Sequence, residues 1–236
     1  MAGQTFRLGL IVPSSNTVME ADLQRELSAV ATIHPVRLFL EEAGKEAEQA
    51  MIDDALPLAM QMLRSLKPHL AIFGSTSAGS LYGLGFDSAL AHRIEDGIKG
   101  KVLTVLSAVQ QELKQIKAKK LAVITPYLDE LNWTLRNCLE EMGHAVLSLH
   151  SMGLTRHFDT GMVPPQKLIQ HCRESLRKTQ ADTIFIAGTN LRALEALPAL
   201  RKKFRQTILT SNQAVIATIR RMIKKGQLKA CSPRGR

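Results

Sequence analysis

Four short runs of small polar residues have the types and placement to hold an anion: Ser14-Ser15-Asn16, Ser75-Thr76-Ser77, Pro126-Tyr127 and Thr189-Asn190. Each follows an apolar run and precedes a stretch with helical spacing. In open α/β sheets, ligands gather beyond the carboxyl ends of the strands. The first N–H groups of a following helix favour negative charge there. Any one cluster alone is explained by N-capping, because a Ser, Thr or Asn side chain satisfies an orphan backbone donor. Four clusters at matched places in two halves of the chain point instead to one shared ligand. A small anion with two carboxylates, one for each half, fits best.

The elements that must position these clusters alternate. Arg7–Val12 reads as a strand, and Val18, Leu23, Leu27 and Val30 recur at helical spacing after it. Ile33–Leu40 is a second strand, and Glu46–Leu66 a long helix that stops near Lys67-Pro68. His69–Phe73 is a third strand, followed by a helix from about Phe86 to Ile98, a strand at Val102–Leu106 and a helix at Ala108–Ile116. Strand–helix alternation predicts parallel sheets covered by helices. The second half then repeats the first. Lys120–Asn132 echoes the opening strand, Pro and polar turn, and Asp182–Ala193 echoes His69–Ser80. Pro13 to Gly74 is 61 positions and Pro126 to Gly188 is 62. The fold expected is therefore α/β, with two similar subdomains related by a pseudo-twofold and the ligand in the cleft between them. The expected division is 1–107, 108–225 and a basic tail, 226–236, with a linker near Ser107–Lys119 and a last helix free to cross back.

Composition bounds the function. A chain of 236 residues, 45% hydrophobic and 22% charged, is long enough to bury about 70% of its unfolded surface. No apolar run approaches the roughly 20 residues of a membrane span, and the N-terminal run ends in Pro-Ser-Ser-Asn rather than a cleavage site, so a cytoplasmic protein is expected. The net charge of +10 is concentrated at the end. Ile219–Arg236 holds seven basic residues and no acidic one, leaving 24 Lys+Arg against 21 Asp+Glu over the rest. With aromatics at 4%, stacking platforms for single strands are lacking, and nucleic acid is not the expected partner.

Other candidates read as structure. Cys138 and Cys172 fall on helical apolar patterns and Cys231 in the tail; none has CxxC spacing, so neither disulfides nor a zinc site are expected. His144, His150 and His157 have no carboxylate at metal spacing, though His157 could reach the pocket rim. Gly79, Gly83 and Gly85 lack the register of a phosphate loop and read as a mobile turn beside the site. Tyr82 could line the pocket or pack beneath it. Glu41-Glu42 and Glu46–Glu48 read as the solvated start of a helix.

The segments Gly9–Thr17, Thr125-Pro126-Tyr127, Gly188–Arg192 and Thr210–Ala214 resemble the maleate cis-trans isomerase and arylmalonate decarboxylase branch of the aspartate/glutamate racemase superfamily. The resemblance spans about residues 6–225. It implies the duplicated α/β fold, a homodimer, and chemistry on a small carboxylate or dicarboxylate, maleate- or arylmalonate-like, with no cofactor and no metal. By position, Asn16 resembles the residue that grips a substrate carboxylate, and Tyr127 the tyrosine that hydrogen-bonds a carboxylate or enediolate oxygen. Thr76 and Ser77 resemble the dioxyanion hole, with Ser14, Ser15, Thr189 and Asn190 completing the binding set. Donors so placed stabilise charge as it develops.

The same resemblance exposes a departure. The family uses a cysteine after the strand in one or both halves, as paired thiols in the racemases, a nucleophile in the isomerases and a proton donor in the decarboxylases. In this chain those positions fall on Ser75 and Gly188. A serine without an adjacent base is a poor nucleophile, and glycine offers only its N–H. The expected catalytic set is thus Ser75, Tyr127 and Gly188, with water or Tyr127 supplying a proton to an enediolate. A carboxylate-binding pseudoenzyme, or a chain from which the cysteines were removed, are the alternatives.

Overall fold

The computed structural model describes residues 5–228, and its two halves carry the same sheet. In the first, β1 (Phe6–Pro13), α1 (Met19–Leu27), β2 (Ala31–Leu38), α2 (Lys45–Ala50), α3 (Leu56–Leu66), β3 (Leu70–Phe73), α4 (Thr76–Ser80), α5 (Leu84–Ile98) and β4 (Val102–Thr104) follow in order. After α6 (Val105–Gln115) the second half runs β5 (Lys120–Thr125), α7 (Asp129–Glu141), β6 (Ala145–Ser151), α8 (His157–Met162), α9 (Pro165–Ser175), β7 (Thr183–Ile186), α10 (Ala193–Lys203), β8 (Thr207–Thr210) and α11 (Ser211–Lys224). The strand orders are β2-β1-β3-β4 and β6-β5-β7-β8, every pair parallel. Two four-stranded sheets of identical order are what the repeated Pro and Gly turns predict.

The central strands are apolar on both faces, as strands covered by helices on each side must be. Leu8, Leu10, Ile72, Ala122, Val123 and Phe185 have no more than trace exposure. One apolar core joins β1–β4 to α6, α7 and α11, so it spans both halves; a second fills the space between β5, β7, α9 and α10. Helices α6 and α11 are pseudo-symmetric partners. Each begins directly at the end of its edge strand, where Thr104 accepts the Ser107 N–H at 3.0 Å and Thr210 accepts the Gln213 N–H at 3.1 Å. They pack together, with Arg221 of α11 paired to Glu112 of α6 at 2.5 Å. The stretch read as a linker, 107–119, is thus mostly helix α6, whose inner face is buried.

Boundaries differ from the sequence reading where side chains cap. The helical spacing begins at Val18, but the first helix starts at Met19, where Asn16 Oδ1 accepts the N–H groups of Val18 and Met19 at 3.1 and 3.0 Å. The long helix of 46–66 is interrupted by a wide π-type turn, Met51–Ala55. Residues 229–236, which include Cys231 and most of the expected basic tail, lie outside the described residues. Among the described residues no helix is long and apolar enough to cross a membrane.

Candidate functional site

A cavity lies between the halves, walled by segments that follow β2, β3, β5, β6 and β7. Ser75, Thr76, Ser77, Tyr127, Gly188, Thr189 and Asn190 line it, as do Ala43, Glu48, Leu154, His157 and Thr160. With its loops closed it has room for about one water. The closure is a clasp between the loop after β2 and the loop after β6. Glu42 and Arg156 form an antiparallel bridge, and the Ala43 N–H donates to the Thr155 carbonyl at 2.9 Å.

The turn after β3 is built by its own hydroxyls. Ser75, in extended conformation, accepts the Ala78 N–H at 3.2 Å and so caps α4. Thr76 donates to Ser211 Oγ at 3.0 Å, and the same oxygen accepts the Gly188 N–H at 3.2 Å. Ser211, which is fully buried, therefore ties the turns of both halves together. Gly188 has φ +108°, a conformation that a Cβ-bearing residue adopts only with strain.

Ser14, Ser15 and Asn16 stand outside the cavity wall, and their polar atoms are committed within the protein. Ser14 Oγ accepts the Leu40 N–H at 3.0 Å, while Ser15 Oγ donates to the Leu40 carbonyl at 2.8 Å and meets His157 Nδ1 at 2.8 Å. Asn16 caps α1 with its oxygen and donates through Nδ2 to Thr189 Oγ1 at 3.0 Å. Asn190 likewise accepts the Thr17 N–H at 2.9 Å and donates to the His157 carbonyl at 2.8 Å. These residues stitch the halves together and hold the clasp.

The residue the sequence reading misplaced is Glu48. Glu41, Glu42 and Glu46 are exposed, but Glu48 is 1% exposed and lines the cavity. Ser77 Oγ donates to its Oε1 at 2.5 Å, and its Oε2 is buried without a partner. Burial lifts its carboxyl to about 8, the hydrogen bond from Ser77 opposes this, and the Glu130 carboxylate adds to it. A signal for this was present. Glu48 lies at helical spacing from Met51, Ile52, Ala55 and Leu56, so it is the charged member of an apolar stripe.

The other titratable groups of the cavity are held neutral. Burial pushes the Tyr127 phenol above its ordinary value, with Glu48 acting in the same sense against hydrogen bonds to Thr76 and Ser77. Burial drives His157 down to about 4. Among the described residues no Lys or Arg lines the cavity. Cys138 and Cys172 are buried elsewhere in the helical layers, their thiols lifted to about 12 chiefly by burial. Tyr82 is exposed under the Lys45 ammonium and does not reach the cavity. Among the described residues no three His, Cys, Asp or Glu side chains gather as a metal would require.

Two four-stranded parallel sheets of identical order, with a small polar-walled cavity between them, define a pseudo-twofold α/β protein. The chain belongs to the arylmalonate decarboxylase family, whose model matches residues 8–234. It is 25% identical to a maleate isomerase of Alcaligenes faecalis, over 98% of this chain and 94% of that one. It is 23% identical to an arylmalonate decarboxylase of Bordetella bronchiseptica, over 89% and 87%. In fold it resembles the maleate cis-trans isomerase of Nocardia farcinica bound to TRIS, with a TM-score of 0.87 over 93% of this chain and 92% of that one, at 19% identity.

Proposed function

We propose that this chain acts on a small carboxylate or dicarboxylate, of the arylmalonate or maleate kind, through a cradle of neutral donors and without a thiol. The observation that carries the reading is the composition of the cavity wall. Thr76, Ser77 and Tyr127 stand in it, and among the described residues no cysteine does. Loss of CO₂ from a malonate leaves an enediolate, whose two oxygens take up the negative charge. The Thr76 and Ser77 hydroxyls give their protons to Ser211 and Glu48, so the donors for that charge are the Tyr127 hydroxyl and the first N–H groups of α4. Preorganised in a site that excludes water, they stabilise the enediolate more than the substrate, which is the requirement for catalysis. The reading needs no cofactor, because the electrons released by C–C cleavage rest on the substrate's own carboxylate.

Cis-trans isomerisation through a covalent adduct is supported less well. Ser75 spends its oxygen as a helix cap and has no base hydrogen-bonded to it. Decarboxylation or exchange of an α-proton suits the wall better. Proton NMR in D₂O with phenylmalonate, methyl-phenylmalonate, maleate, aspartate and glutamate separates these reactions. Loss of CO₂ with deuterium at the α-carbon is the expected result. Silence across the panel overturns the reading, and silence with broadening of one acid leaves a protein that binds a carboxylate without turning it over.

A further inference from the structure

An enediolate must be protonated at carbon, and the cavity wall is short of acids. Serine and threonine hydroxyls hold their protons too tightly, and burial makes Tyr127 a weaker acid than a free phenol. His157 is neutral and its Nδ1 is engaged with Ser15. Glu48 differs from all of these in kind. It is a carboxyl group sealed in the wall, with one oxygen fixed by Ser77 and the other unpartnered. A buried unpartnered carboxyl oxygen is costly unless it has a task.

The charges around Glu48 keep it an acid. Glu130 of α7 faces it from the second half, and its own helix supplies Lys45, whose ammonium sits over the Tyr82 ring at 4.2 Å. Tyr127 and His157 are neutral neighbours in the wall. Helix α4, packed against α2, brings only hydroxyls, small residues and backbone. An arriving carboxylate adds further negative charge and holds the proton on Glu48 more firmly.

Resting on the decarboxylase reading above, we infer that Glu48 is the proton donor of this site, a role that the family resemblance gives to a thiol at another position. The C–C bond to CO₂ breaks and its electron pair enters the enediolate. The enediolate carbon then takes the proton from Oε2 of Glu48, forming the new C–H bond and leaving the Glu48 carboxylate. Water returns a proton to Glu48, and the hydroxide formed combines with CO₂ as bicarbonate. Run backwards, the same carboxylate would remove an α-proton from the product acid, so slow α-deuteration of the product accompanies turnover.

The test is Glu48→Gln, which keeps the shape and an acceptor for Ser77 but carries no transferable proton. Turnover of phenylmalonate in D₂O falls at least about 100-fold, while phenylacetate still broadens on binding and circular dichroism is unchanged. Turnover within threefold of the parent overturns Glu48 as donor and leaves the decarboxylase reading standing. A parent inert towards every acid of the panel removes both. Should Glu48→Gln fail to fold, the pH profile of the parent decides. kcat/KM falls as pH rises through about 8, where Glu48 of the free protein ionises, and Ser77→Ala, which removes the bond favouring ionisation, moves that limb upward. A kcat/KM that is flat from pH 6 to 10 overturns the assignment.

Discussion

Thr189 of the second half donates its hydroxyl to the Gly74 carbonyl of the first at 3.0 Å. The same oxygen accepts from Asn16 Nδ2 at 3.0 Å, so one fully buried hydroxyl closes a chain across the pseudo-twofold. Its single proton is spent on that chain, so the hydroxyl has none to donate to an anion in the cavity. The prediction follows from the asymmetry of buried hydrogen bonds, in which the orphaned partners carry the penalty. Thr189→Val preserves the volume but leaves the Gly74 carbonyl and Asn16 Nδ2 unpaired. Stability to urea falls by roughly 1–3 kcal/mol with the unfolding slope unchanged, and turnover per folded molecule changes little.

How much of this was legible in the sequence follows from how far apart the partners lie. The turns after β3, β5 and β7 announce themselves, because an apolar run, a Pro or Gly and a polar residue recur at matching intervals in both halves. Asn16 was legible as a polar residue at a strand end, but its partner Thr189 is 173 positions away and its oxygen caps its own helix. Glu48 was only half legible, as the charged member of the 51–56 apolar stripe, and for a different reason. The segment Lys45–Ala50 is polar and reads as an exposed first turn. Its inner face is covered because the preceding loop is clasped to residues 155–156, a contact that no local pattern records.

Tyr127→Phe removes one donor from the cradle while retaining the ring that packs in the core. Loss of a preorganised oxyanion donor lowers kcat by about 10²–10³-fold. Because burial keeps the phenol protonated throughout the working range, this loss is the same at pH 6 and pH 9. Steady-state kinetics at the two pH values check it, and a deficit that disappeared at either one would assign Tyr127 to proton transfer instead.

Glu48 also sets how stability responds to pH. Its folded pKa of about 8 lies above the ordinary value of 4.5. Between those values the unfolded chain releases a proton that the folded chain retains, so stability falls as pH rises and levels off above 8. Asp87, lifted by burial to about 6 and opposed by its bond from Thr104, acts with the same sign in a lower window. His157, depressed to about 4, acts oppositely and only below its ordinary 6.5. From pH 6.5 to 8 the Glu48 effect stands apart. Thermal unfolding should show Tm of the parent declining across that interval and Tm of Glu48→Gln holding level. The variant is the more stable of the two at pH 8.5, and the two converge near pH 4.5.

A thiol can be placed in the cavity from either half, and the backbone makes the two positions unequal. Ser75 has φ −132° and ψ 125°, which any residue adopts, and its oxygen caps α4. Ser75→Cys therefore loses only part of a cap, about 1 kcal/mol, and sets its sulfur beside the first N–H groups of α4. Gly188 has φ +108°, and a Cβ there would meet Pro126 Cδ and Cγ at 3.2 Å. Gly188→Cys stores strain on the order of 1–3 kcal/mol and loosens the N–H bond to Ser211. Ser75→Cys should unfold within a few degrees of the parent and react with a thiol reagent once the clasp opens. Gly188→Cys should unfold distinctly lower. With a nucleophile restored, Ser75→Cys also gains turnover of maleate to fumarate in the D₂O assay, where the parent gives none. Equal stability of the two variants would show that the turn at 188 relaxes to accept a side chain, and the absence of a thiol there would then have no backbone cause.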